Sequence, residues 1–80
     1  MPQEEVFLTR EGADNLKAEL DELRGPRRLE MAARLRHAVS MGDLSENADY
    51  IMAKEEQAFL EGKIQELEAL LSRATVMEKD

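Results

Sequence analysis

Residues 50–74 read YIMAKEEQAFLEGKIQELEALLSRA. Tyr50, Ala53, Gln57, Leu60, Ile64, Leu67, Leu71 and Ala74 recur here at alternating spacings of three and four, with Gln57 the one polar member. That is the seam of a coiled-coil helix, a face that is stable only against a partner. The partner lies upstream. Ala13, Leu16, Leu20 and Leu23 keep the same spacings, Gly25-Pro26 interrupts them, and apolar positions resume at Met31, Leu35 and Ala38.

Folding the chain at Gly42-Asp43 sets Ala38 against Tyr50, Leu35 against Ala53 and Met31 against Gln57. Beyond the proline the pairs are Leu23 with Ile64, Leu20 with Leu67, Leu16 with Leu71 and Ala13 with Ala74, one residue out of step with the first set. The step falls at Gly25-Pro26. Pro26 has no amide hydrogen and its ring collides with the carbonyl four residues back, so a kink is expected near Arg24 with the helix resuming at once. Arg27 or Arg28 then lies opposite Leu60 and covers it with an aliphatic stem.

The expected fold is all-α: a long antiparallel two-helix coiled-coil hairpin with short extended terminal segments. The first helix runs over about 10–41, an acidic tip over 42–47 and the second helix over about 46–74. Thr9 is placed to cap the first helix, with Glu11 in its first turn. Arms of about 30 residues give a length of roughly 45 Å. At the open end Phe7, Leu8, Val76 and Met77 are expected to close over Leu16, Leu71 and Ala74 as a small satellite core.

Composition fits an elongated helical shape. The 80 residues are 42% hydrophobic but only 4% aromatic, so the apolar mass is aliphatic helix-forming stock. Charged residues reach 36%, against roughly 25% in an ordinary globular domain, more than a small sphere would spread comfortably. With no cysteine there is neither a disulfide framework nor a thiolate metal site, and no apolar run approaches a membrane span. A cytoplasmic setting and no membrane partner are the expectations.

The formal net charge of -7 argues against generic binding to DNA or to an anionic membrane. Locally the balance reverses. Between Arg24 and Met41, Arg24, Arg27, Arg28, Arg34 and Arg36 face the single acid Glu30. This basic stripe is either a solvated face paired with the neighbouring helix or a contact for phosphate.

Ordinary enzyme chemistry lacks its residues. His37 is the only histidine, no glycine-rich phosphate loop occurs, and two helices enclose no pocket for a small-molecule substrate. The chain is therefore expected not to be an enzyme. The tip carries Asp43, Glu46 and Asp49. Asp43-Leu44-Ser45-Glu46 has the form of a capping box for the second helix, and the same two carboxylates could instead share a hard cation. Two carboxylates cannot complete an octahedral Mg²⁺ shell alone, so a metal site here would have to be shared.

Met41-Gly42-Asp43-Leu44-Ser45-Glu46-Asn47-Ala48-Asp49-Tyr50, followed by Ala53-Lys54-Glu55-Glu56-Gln57 and Leu71-Ser72-Arg73-Ala74-Thr75-Val76, resembles the N-terminal coiled-coil domain of the bacterial transcript cleavage factors, the GreA/GreB family, and GreA more than GreB. The resemblance covers nearly the whole of residues 1–80. It implies a hairpin that enters the secondary channel of RNA polymerase and brings its tip to the active site. There Asp43 and Glu46 would help hold the polymerase's second catalytic Mg²⁺ and orient the attacking water, so that the polymerase cleaves its own backtracked transcript. No cofactor belongs to the chain itself. The implied partners are RNA polymerase and the 3′ end of the nascent RNA, with Arg36 and Lys54 as RNA-facing basic residues and Leu44, Ser45, Asn47 and Tyr50 supporting the tip. Lys54 matches a basic position of the family, whereas Ala38-Val39 stands where Ala-Arg is common and Pro26 precedes the usual proline by about three residues. Nothing in residues 1–80 corresponds to the family's C-terminal FKBP-like domain. The competing class is a non-catalytic coiled-coil module that occupies the channel and inhibits or only regulates.

Overall fold

A computed structural model describes residues 6–43 and 46–77 of the chain. The order of elements is β1 (Val6–Thr9), α1 (Arg10–Glu22), a π-helical turn (Leu23–Arg27), α2 (Arg28–Val39), α3 (Ala48–Arg73) and β2 (Ala74–Met77). The molecule is predominantly helical and long, with principal extents of 59 × 30 × 12 Å. α1, the π turn and α2 form one continuous arm and α3 the other.

Local chemistry sets the boundaries. The Thr9 hydroxyl oxygen accepts a hydrogen bond from the Gly12 amide at 2.9 Å, and a side chain at position 12 would crowd that oxygen. At the far end of the first arm the Ser40 hydroxyl donates to the His37 carbonyl at 2.6 Å, and the chain leaves the helix through Gly42 at φ 121°, a conformation that favours glycine. The first arm thus ends slightly before the expected 41.

The expected kink is a π-helical turn containing Pro26. A π turn accommodates one more residue than the α-helix it interrupts. This is the physical origin of the one-residue step between the two halves of the seam. It also relieves the clash between the proline ring and the Glu22 carbonyl without ending the arm.

The seam read from the sequence is the side of the arms that is covered. Leu20, Ile64 and Leu67 form the buried cluster, with Leu16, Leu23, Leu60 and Leu71 packed against it. Ala13, Ala38 and Ala53 are buried along the same line, where small side chains let the arms approach closely. Gln57 is only half-buried, which leaves its amide within reach of water. Arg27 shares a concavity with Leu23, Met31, Phe59 and Leu60, as expected for an arginine stem beside Leu60.

Across the seam, salt bridges join Arg24 to Glu68 at 3.3 Å, Arg28 to Glu61 at 2.6 Å, and Arg34 to Glu56. As the arginine number rises from 24 through 28 to 34, the partner number falls from 68 through 61 to 56. Arg28 grips Glu61 with two hydrogen bonds, 2.9 Å from Nε and 2.6 Å from an Nη. That bidentate hydrogen bond is the main reason the Glu61 carboxyl titrates below the ordinary glutamate range and the Arg28 guanidinium above its own. A carboxyl lowered in the folded state contributes stability above its unfolded pKa and loses it as pH falls through the folded value. Melting temperatures of the unsubstituted chain and Glu61→Gln should therefore differ near pH 7 and converge as the pH falls below the ordinary carboxylate range. A difference that stays constant across that interval would contradict the role given to this pair.

The terminal segments are short and extended, as expected, but they also pair as strands, which the all-α description did not include. β1 and β2 pair as a two-stranded parallel sheet, with Val6 opposite Ala74 and Thr9 opposite Met77. Parallel strands need a long connection, which the two arms provide. The expected satellite core is correspondingly thinner. Val6, Leu8 and Ala74 are half-buried, while Phe7, Val76 and Met77 remain exposed. In β1 the reason is the alternation of strand side chains, which turns only every second residue toward the helices.

Candidate functional site: the tip between the arms

α3 does not begin as the capping-box reading expects. Its first residue is Ala48 and its N-cap is Asn47, whose side-chain oxygen accepts from the Tyr50 amide at 3.1 Å. Asp43 and Glu46 are therefore not the N-cap and third residue of this helix, and the boundary moves from about 46 to 48. Asn and Asp cap equally well, so local propensity could not choose between positions 43 and 47. The tertiary contact does choose. The Asn47 amide nitrogen also donates to the Ala38 carbonyl at 2.6 Å, a bond from one arm to the other that Asp could not make.

Asp43, Glu46 and Asp49 line one shallow concavity of about 380 Å³ together with Met41, Asn47 and Ala48. All three carboxylate residues are exposed. Among the described residues no three His, Asp or Glu side chains converge as a metal-binding group. The arrangement offers exposed anionic oxygens to something approaching from outside. Leu44 and Ser45, expected to support the tip, lie outside the described residues. Tyr50 is half-buried at the start of α3, where its amide completes the cap.

The basic stripe resolves into two parts. Arg24, Arg28 and Arg34 are engaged by acids of the opposite arm, and Arg27 lies 3.8 Å from Glu30 on its own arm. Most of the stripe is thus a neutralised face. Arg36 is exposed and makes no ion pair among the described residues. Lys54 donates to the Gln57 side-chain oxygen at 3.3 Å and is also exposed. Lys54 lies seven residues before Glu61, so helical periodicity returns it to the side of α3 that carries Glu61. The sequence missed the second bond made by Asn47. The available signal was an amide side chain directly before an acidic first turn, the other place where a cap could sit.

Among the described residues, no helix is long and apolar enough to cross a membrane. Residues 6–76 match the family described as Transcription elongation factor, N-terminal, the GreA/GreB N-terminal region. Among similar curated proteins, Transcription elongation factor GreA of Thermosipho africanus is 47% identical over 78 residues, covering 98% of this chain and 50% of that protein. The GreA of Bacillus velezensis is 48% identical over 81 aligned positions and that of Bacillus subtilis 47%, each covering 100% of this chain and 52% of the relative. The chain spans about half the length of these curated relatives. With the match running from β1 into β2 and through the whole acidic tip, the chain belongs to the GreA/GreB family of transcription elongation factors.

Proposed function

We propose that the two arms form an antiparallel coiled-coil hairpin that enters the secondary channel of RNA polymerase and stimulates the polymerase's own cleavage of backtracked nascent RNA. The falling order of cross-arm salt bridges supports the antiparallel course. The observation that carries the function is at the tip. Asn47 caps α3, and Asp43 and Glu46 are exposed carboxylates beside one concavity of an elongated body of 59 × 30 × 12 Å. Such a shape delivers negative charge down a narrow passage.

In this reading the hydrolysis belongs to the polymerase, and the chain acts as an activator. The polymerase's second Mg²⁺, when bound, supplies a Lewis acid for the phosphate and an activated water. The donor set fits a shared site, since two carboxylates at one rim offer oxygens while leaving the remaining positions to polymerase groups and water. Asp43 and Glu46 are the residues of this chain that would hold the ion and orient its water. Arg36 and Lys54 meet phosphates of the extruded 3′ segment.

The test is to add the purified chain to a stalled elongation complex with Mg²⁺ and without nucleotides. Shortening of the labelled transcript is the expected result. Displacement of a known channel ligand without shortening would instead support the inhibitory module. The RNA contact has its own test. Arg36→Glu with Lys54→Glu should leave helix content unchanged and weaken cleavage most in deeply backtracked complexes, where the most RNA is exposed. Equal cleavage at every backtrack depth would reduce these two residues to solvated surface.

A further inference from the structure

Asn47 closes two helix ends with one side chain. Its nitrogen donates to the Ala38 carbonyl in the last turn of α2, and its oxygen accepts from the Tyr50 amide in the first turn of α3. Both are groups that a helix terminus leaves without an intrahelical partner. The Ala38 carbonyl also accepts from the Met41 amide at 3.1 Å, so its second lone pair is the one Asn47 takes. Asn47 is half-buried between the arms and follows Glu46 directly. Gly42 turns the chain immediately before Asp43. In the sequence, Asp43 and Glu46 both lie between the two positions that this bond joins, Ala38 and Asn47.

We infer that Asn47 is a positioning residue: by tying the end of α2 to the start of α3 it holds Asp43 and Glu46 at a defined separation and aim. The inference rests on the cleavage reading above. A cap needs only an acceptor, which Asp and Ser also supply. The tie needs an N–H at the reach of a side-chain amide, which neither provides. A carboxylate at position 47 would also set negative charge against the Ala38 carbonyl oxygen.

Asn47→Asp and Asn47→Ser separate the two bonds. In both variants the Tyr50 amide should keep its slow hydrogen exchange, because the cap persists. The Ala38 carbonyl carbon shift should move, and exchange of the Met41 and Gly42 amides should accelerate at least about fivefold as the end of α2 loosens. Cleavage at saturating concentration should fall about tenfold. The concentration for half-maximal effect and the competition for the channel should stay within about twofold, since the arms are unchanged. Unaltered Ala38 and Met41 signals would overturn the tie itself. A full saturated rate with those signals shifted would overturn the positioning role, as would a loss confined to half-maximal concentration. Loss of helix content in both variants would make Asn47 a fold determinant alone and overturn the inference. An unsubstituted chain that produces no cleavage would sink the cleavage reading, and with it the positioning role, while the exchange data still decide the tie.

Discussion

Asp43→Asn combined with Glu46→Gln should lower stimulated transcript cleavage at least about tenfold, a loss of roughly 1.4 kcal/mol or more of transition-state stabilisation. The doubly substituted chain should melt near the temperature of the unsubstituted one and compete equally for the polymerase channel. The cap of α3 is supplied by Asn47, so neither substitution removes it. Both positions are exposed, so no buried packing is disturbed. The substitutions lower the charge and the oxygen basicity presented at the tip. Raising Mg²⁺ should restore part of the activity, because carboxylates that recruit a weakly held ion can be partly replaced by a higher concentration of it. Full cleavage at matched channel occupancy would eliminate these residues as the metal-holding pair.

Leu20→Asp should open the arms. Leu20 is 6% exposed and packs with Ile64 and Leu67, which are 1% and 3% exposed, in the buried cluster of the seam. The substitution removes a leucine's worth of packing and sets a carboxylate against two aliphatic side chains. Together these cost about 4 kcal/mol or more, large against the stability of a small domain. For a chain of this size that lowers Tm by roughly 16 °C or more, if the arms remain associated at all. Leu29→Asp is the matched control, since Leu29 is 73% exposed and the same chemical change should cost no more than about 1 kcal/mol. Thermal melts followed by circular dichroism compare the two. Equal effects would mean that the seam does not hold the arms.

Much of this molecule is legible in its amino-acid sequence. The three-four spacing marked Leu20, Ile64 and Leu67 as core, and the one-residue step at Gly25-Pro26 marked the place where the helix becomes a π turn. Both are consequences of local periodicity, which a sequence carries along a single line. The exposed carboxylates of the tip were visible for the same reason, as residue types at a turn.

Other features depend on what lies across the arms. Five arginines facing one acid read equally well as a phosphate-binding stripe or a paired face, and three cross-arm salt bridges decided for pairing at Arg24, Arg28 and Arg34. The pairing of β1 with β2 joins segments at opposite ends of the chain. The cap of α3 is the sharpest case. Asp43 and Asn47 are equivalent by propensity, and Asn47 prevails through a second bond to Ala38, nine residues earlier on the other arm. The amino-acid sequence by itself determined which faces pack and where the chain turns, because those follow from spacing and local backbone preference. Only the tertiary structure decided which charges are neutralised and which side chain closes the tip, because each requires a donor and an acceptor from distant positions to meet.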